Sequence, residues 1–252
     1  KLISQRSVYP HVDVDACTRH NVLLCSNMHS DAPSYAAAEH TLALILASFR
    51  QIPQQTSSIK AGNWQAGVGR TLRGRVLGLY GNGRIAGAVS DYAKALGMKV
   101  QWWGSEDGRI RAKEAGETVP ATREAFFATS DIVSVHVRLK PETKGLITKA
   151  DLAAMKPRAL FVNTSRSGLV QTGALEAVVA QGQLHAAVDV FDQEPLTDQT
   201  NILLTHPNVV ATPHIGFVTE DEFDLQFSDI FDQLNAFAAG QPINMINPEV
   251  WP

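Results

Sequence analysis

From about residue 75 to residue 212, short apolar runs alternate with stretches whose apolar residues recur at helical spacing. Arg75–Tyr80, Met98–Trp103, Asp131–Val137, Ala159–Asn163, His185–Val190 and Asn208–Ala211 read as strands. Over residues 84–96, Ile85, Val89, Tyr92, Ala93 and Leu96 share one face of a helix, and further helices are expected near 122–128, 149–155 and 172–181. This alternation predicts a parallel sheet with helices on both faces.

Two longer helices flank that region. Tyr35–Arg50, with Ser34 as its N-cap, carries Ala37, Leu42, Leu44, Ile45 and Phe49. Thr219–Ala239 carries Phe223, Phe227, Ile230, Phe231 and Leu234 and stops at Gly240-Gln241-Pro242. Core packing is the expected fate of both stripes, with a dimer or interdomain surface as the alternative. The opening Lys1-Leu2-Ile3-Ser4 also reads as an apolar strand. A chain rarely opens inside a core strand, so further residues are expected ahead of Lys1 in the source protein; an intact mass beginning at Lys1 would refute this.

Composition narrows the class only a little. Of 252 residues, 44% are hydrophobic, enough for a sizeable core. A formal net charge of -3 gives no reason to expect nucleic acid or an anionic membrane as partner. The longest apolar stretch, Leu42–Ala47, is too short to span a bilayer. The two cysteines, Cys17 and Cys25, suit a reducing cytoplasm, with a local bridge as the other option. No His, Asp and Glu cluster shows metal-ligand spacing.

The chemistry enters at the strand ends. Gly81-Asn82-Gly83-Arg84-Ile85-Ala86 follows a strand and opens a helix, the context in which glycines let backbone approach a dinucleotide pyrophosphate. Gly81, Gly83, Arg84 and Ile85 are therefore candidate cofactor contacts. At the next strand end, an acid that would bind the ribose of NAD is replaced by Gly104, followed by Ser105-Glu106-Asp107-Gly108-Arg109. Loss of the carboxylate removes repulsion toward a 2′-phosphate, and Ser105 and Arg109 are candidates to bind it. Glu106 and Asp107 argue the other way, so NAD and NADP both stay open.

Arg166, Glu194 and His214 stand in Asn163-Thr164-Ser165-Arg166-Ser167-Gly168, Asp189-Val190-Phe191-Asp192-Gln193-Glu194-Pro195 and Thr212-Pro213-His214-Ile215-Gly216. An arginine fork can hold a carboxylate through two parallel hydrogen bonds. A histidine backed by a glutamate can move a proton to or from a hydroxyl near neutral pH. Together with the glycine turn they point to hydride transfer on a small 2-hydroxy or 2-keto acid.

With these motifs the chain resembles the D-isomer-specific 2-hydroxyacid dehydrogenases, which include glyoxylate, hydroxypyruvate and phosphoglycerate-type enzymes. The resemblance runs from Lys1 through the Pro248-Glu249 tail and implies an α/β doubly wound parallel sheet of Rossmann type with a discontinuous substrate domain, truncated on its N-terminal side. Residues 1–24 and 218–252 are the expected remnants of that domain, and 25–217 the dinucleotide-binding domain. A cleft between two such domains would exclude water on closing.

The resemblance implies roles for individual residues: Arg166 as carboxylate anchor, His214 as acid/base and Glu194 as its partner. It also places Asp189 at the nicotinamide carboxamide, with Thr164, His136 and Gly216 near the cofactor. Ser4–Tyr9 is expected as a loop facing the substrate carboxylate, with Val8 and Tyr9 as substrate contacts. Tyr9 replaces the family's usual glycine, narrowing or covering the pocket or packing on Pro10, and Arg138 replaces a usual proline. A homodimer acting in the cytoplasm is implied as well. The alternative from another class is a nucleotide-sensing protein or corepressor on the same fold, which would need no proton donor.

Overall fold

The computed structural model describes residues 1–9, 11–28 and 35–252. In chain order these form β1 (Leu2–Arg6), α1 (Val14–Arg19), β2 (Leu23–Asn27), α2 (Ala36–Arg50), α3 (Ile52–Lys60), β3 (Val76–Tyr80) and α4 (Arg84–Ala95). There follow β4 (Lys99–Trp103), α5 (Glu106–Glu114), α6 (Arg123–Thr129), β5 (Ile132–Val135), α7 (Lys149–Ala154) and β6 (Leu160–Asn163). The last are α8 (Ala174–Ala180), β7 (His185–Val188), α9 (Ile202–Thr205), β8 (Val209–Ala211) and α10 (Glu220–Ala238). The chain divides into two compact units, residues 35–216 and residues 1–34 with 217–252.

The 35–216 unit is a six-stranded sheet in the order β4-β3-β5-β6-β7-β8, every pair parallel. A single parallel bridge from Gln101 to Thr118 extends the β4 edge by one residue pair. The chain passes from β3 out to β4 and then back across to β5. That reversal makes the gap between the β3 and β5 ends a topological switch point, where open α/β sheets take their ligands.

Alternate residues along each strand enter opposite cores. Leu77, Leu79, Ile132, Leu160 and Val162 pack with Leu44, Ile45 and Phe49 of α2 and with Val89 of α4. Val133, Val135, Phe161 and Val188 pack on the other face with Phe126 and Phe127 of α6. Both faces being covered explains why these strands read as apolar runs. Gly78 belongs to that packing: a Cβ there would lie 2.4 Å from Ser130 Oγ and 2.8 Å from the Phe126 ring.

In the other unit β1 and β2 pair in parallel, and Met245 bridges Cys25 of β2 in antiparallel fashion. Buried Asn247 seals the tail, accepting from Leu24 N at 2.7 Å and donating to Val22 O at 3.0 Å. Cys17 and Cys25 are both buried and unbridged.

The structure revises several expectations. The first compact stretch extends past residue 24, because β2 runs to Asn27 in register with β1. Ser4–Arg6 belong to β1, so the expected loop begins only at Ser7, whose N–H is taken by Asn27 O at 3.0 Å. Residues 106–114 form a helix, with the Ser105 side chain accepting from Gly108 N. Helices α1, α3 and α9 were not foreseen. Ser34 and Pro10, given roles from the sequence, lie outside the described residues.

The largest revision concerns α10. Phe223, Phe227, Phe231 and Leu234 are exposed, whereas Glu222 and Gln233 are buried. The core reading of that stripe fails for a physical reason: β1 presents Ser4 and Arg6, and α10 meets them with its polar face. Arg6 Nε lies 2.6 Å from Asp229 Oδ2, and Gln233 donates to Gln5 O at 3.1 Å and accepts from Ser4 Oγ at 3.1 Å. Buried donors and acceptors demand such partners more strongly than phenyl rings demand burial there.

Candidate active site

Six parallel strands end at one edge of the sheet, so every sequence motif that follows a strand arrives at that edge. After β3, Gly81 takes φ +113°, and a Cβ on it would lie 2.3 Å from His136 O, at the end of β5. Only glycine fits that crossing. Gly83 differs. A side chain there would meet nothing within 4 Å, so no neighbouring protein atom demands glycine. Gly83 instead stands at the N-cap of the 12-residue α4, beside exposed Asn82, Arg84 and Ile85, while Ala86 is fully buried. An open glycine before the positive end of a helix is the cradle a pyrophosphate requires, so these residues fit a dinucleotide.

At the end of β4, Arg109 stacks its guanidinium 4.5 Å from the Trp103 ring and its Nη1 lies 3.5 Å from Gly104 O. The arginine is thus parked beside the position that lacks the acid. At the end of β5, half-buried His136 bonds Ser134 Oγ at 2.8 Å through Nε2. Burial lowers its pKa to about 4, so the ring is neutral at physiological pH.

After β6, buried Asn163 shapes the turn: its side chain accepts from Ser165 N at 3.0 Å and donates to Arg166 O at 2.9 Å. Arg166 is exposed, its Nη1 donating to its neighbour's carbonyl, Ser165 O, at 2.6 Å. After β7, Glu194 Oε1 accepts from Phe191 N at 2.9 Å, and Oε2 lies 2.6 Å from His214 Nδ1. Desolvation pushes the Glu194 carboxyl up. The His214 bond, the Phe191 N–H and the charges of His214 and Arg166 outweigh it, leaving the pKa below the usual value. Arg166, Glu194 and His214 are therefore brought together, with the Glu194 carboxylate ionised near neutrality and hydrogen-bonded to His214.

His214 has φ +55°, a left-handed conformation uncommon outside glycine. The turn around it closes on Asp189, whose Oδ1 accepts from Thr212 Oγ1 at 2.5 Å and Ile215 N at 2.9 Å. Asp189 Oδ2 accepts from Gly216 N at 2.9 Å. Burial raises the Asp189 pKa, but bonds from His40, Thr212, Ile215 and Gly216 reverse that, and the net shift is downward. Expected as cofactor contacts, Asp189 and Gly216 are bonded chiefly to one another and to the His214 turn. Thr164 similarly meets Thr41 Oγ1 at 2.8 Å. Val8, exposed, and Tyr9, half-buried, belong to the other unit, following β1 there.

Asn163, Thr212, His40 and Thr41 were missed from the sequence. The available signal was weak: a His-Thr pair interrupts the apolar run of α2, and only the fold shows where it points.

Residues 42–216 match the model of the "D-isomer specific 2-hydroxyacid dehydrogenase, NAD binding domain". The chain belongs to the D-isomer specific 2-hydroxyacid dehydrogenase family. It is 32% identical over 265 residues to the glyoxylate reductase of Thermococcus litoralis, covering 99% of this chain and 78% of that protein. It is 35% identical over 236 residues to the D-3-phosphoglycerate dehydrogenase of Bacillus subtilis, covering 92% of this chain. The match spans 44% of that longer protein, under half its length. The crystal structure of a phosphoglycerate oxidoreductase from Vibrio cholerae superposes with a TM-score of 0.88 at 40% identity, over 95% of this chain and 77% of that one. The family's nucleotide domain thus coincides with the six-stranded unit built above. No helix among the described residues is long and apolar enough to cross a membrane.

Proposed function

We propose that the protein is a nicotinamide-dependent oxidoreductase interconverting a small 2-keto acid and its D-2-hydroxy acid, acting in the cytoplasm as a homodimer. The observation that carries the reading is the 2.6 Å bond between His214 Nδ1 and Glu194 Oε2, with the Arg166 charge beside it. Glu194 holds Nδ1, so proton exchange with substrate runs through Nε2 of His214. In the reducing direction His214 donates its proton to the C2 carbonyl oxygen, and in the oxidising direction it takes the hydroxyl proton back. Arg166 grips the substrate carboxylate and stabilises charge developing on the adjacent oxygen. The bound nicotinamide supplies or accepts the hydride at C2.

In the 35–216 unit Gly81, Gly83, Arg84 and Ile85 would hold the nucleotide, with His136 lining its adenosine side, Asp189 at the nicotinamide carboxamide, and Thr164 and Gly216 near the cofactor. Val8 and Tyr9 contribute the substrate contacts of the other unit. Gly104 in place of the ribose-binding acid keeps NADP open beside NAD: Ser105 and Arg109 are the residues that would bind a 2′-phosphate, and Glu106 and Asp107 argue for NAD. The reading is tested by nicotinamide absorbance with NADH and NADPH separately, across a panel of 2-keto acids, for the full chain and for His214→Ala. Turnover that the substitution lowers at least about a thousandfold, with nucleotide affinity kept, is the expected result. Full activity in His214→Ala, or nucleotide binding without turnover on any acid, would overturn it and favour a sensor.

A further inference from the structure

Helix α2 makes contacts that the chemistry above does not explain. His40, in its second turn, is largely buried, with 16% of its side chain accessible. Its Nε2 lies 3.0 Å from Thr212 Oγ1 and 3.3 Å from Asp189 Oδ1. The tautomer follows from counting hydrogens. Thr212 spends its single hydroxyl hydrogen on Asp189 Oδ1 at 2.5 Å, so its oxygen is an acceptor toward His40 and Nε2 carries the N–H. Asp189, 1% exposed, accepts from Ile215 N and Gly216 N on the far side of the same turn. A Cβ on Gly216 would lie 3.1 Å from Asp189 Oδ2 and 3.5 Å from His40 Cδ2, so glycine lets carboxylate and imidazole close on the backbone. His214 sits between the two anchor points, at φ +55°.

The next residue repeats the arrangement at the neighbouring loop. Thr41 Oγ1 donates to Ala37 O at 2.7 Å, which leaves its oxygen to accept from Thr164 Oγ1 at 2.8 Å, two residues before Arg166. Consecutive side chains of one helix therefore tie down the loop of the acid/base and the loop of the carboxylate anchor.

We infer that His40 is a positioning residue: through Thr212 and Asp189 it clamps the 212–216 turn in the left-handed conformation that aims His214. The inference rests on the functional reading of His214 given above. An isolated left-handed histidine is strained, and it persists only where surrounding bonds over-determine it. The clamp provides them, reaching Thr212 on one side of His214 and residues 215–216 on the other. Asp189 serves the catalytic turn as much as any cofactor, and His40 keeps it in place without touching substrate.

The test pairs two measurements on the full chain. Hydrogen exchange on the nucleotide-free protein reads the clamp directly: His40→Ala loosens the Ile215 and Gly216 amides at least about tenfold and leaves strand amides of β5 and β6 unchanged. Kinetics read its use: kcat falls about 10- to 100-fold, while KM for the keto acid and nucleotide affinity move less than about threefold. His40→Gln, whose amide nitrogen can occupy the Nε2 position, restores most of both. His40→Asn, too short to reach, does not; it also stands in for the alanine variant if that one fails to fold. Unchanged exchange at 215–216, or equal loss in the Gln and Asn variants, overturns the clamp. If the wild-type chain turns over no acid, the functional reading fails, and the exchange measurement still decides whether the clamp exists.

Discussion

Helices α2 and α10 carry the same kind of apolar stripe and meet opposite fates. In α2, Leu44, Ile45 and Phe49 are buried against the six-stranded sheet, and its polar side chains His40 and Thr41 turn toward the loops. In α10, Glu222, Asp229 and Gln233 face β1, and a ladder of Phe223, Phe227 and Phe231, with successive ring centroids 6.2 Å apart, faces outward. Amphipathicity says that a helix has two different faces. Which face goes inward depends on what the neighbouring sheet presents. A sheet of aliphatic strands takes the apolar face, and a strand presenting Ser4 and Arg6 takes the polar one.

The sharpest way to break this contrast is to truncate one phenylalanine in each helix. Phe49, 1% exposed, should cost about 3–5 kcal/mol on conversion to alanine, whereas Phe231, 57% exposed, should cost within about 0.5 kcal/mol. Denaturant midpoints compare the two directly; equal losses would mean that the α10 stripe is core after all. Next in size is Gln233→Leu. This swap removes the bonds of Gln233 to the Gln5 carbonyl and to Ser4 Oγ, which keeps only Ile230 O at 3.1 Å, and should destabilise by about 1–3 kcal/mol, despite adding apolar character to a fully buried position. A gain in stability would show that the polar face of α10 is incidental.

A smaller and unit-specific effect comes from acid. His136 and His185, both in the six-stranded unit, have pKa values lowered to about 4 from an ordinary 6.5. For His185 burial is the first cause, followed by the charges of Arg70, Arg158 and His206. The unfolded chain binds more protons than the folded one between those values. Their stabilisation is thus complete above about pH 6.5, shrinks as pH falls toward about 4, and changes no further below that. The lowered carboxyls of Asp189 and Glu194 act later: their contribution is present above the unfolded carboxylate pKa and is lost as pH falls through the folded values. Thermal melts should show Tm declining on the order of a few degrees before the carboxylates titrate; a flat Tm from pH 6.5 to 4.5 would contradict this.

Much of the six-stranded unit was legible because its signals are local. The strand runs, the helix over residues 84–95 and the glycine turn each depend on residues within one element and its neighbours. Arg166, Glu194 and His214 could be singled out by their motifs, since each follows a strand. The residues that hold them could not. His40 lies 149 residues before Asp189 in number, and nothing near it in the chain distinguishes a clamp from a helix-surface histidine. The end of β2 was hidden for a similar reason, because it is set by its register with β1 rather than by local composition.

The sequence alone determined the alternation of strand and helix, the parallel sheet it entails, and the chemical types at the strand ends, because backbone conformation and side-chain periodicity are short-range properties. The tertiary structure alone decided which face of α10 is buried, why Gly81 must lack a side chain while Gly83 faces open space, and how Asp189 closes the turn of His214. Those outcomes depend on which surfaces meet and which buried polar atoms must find partners, and such pairings join residues far apart in the chain.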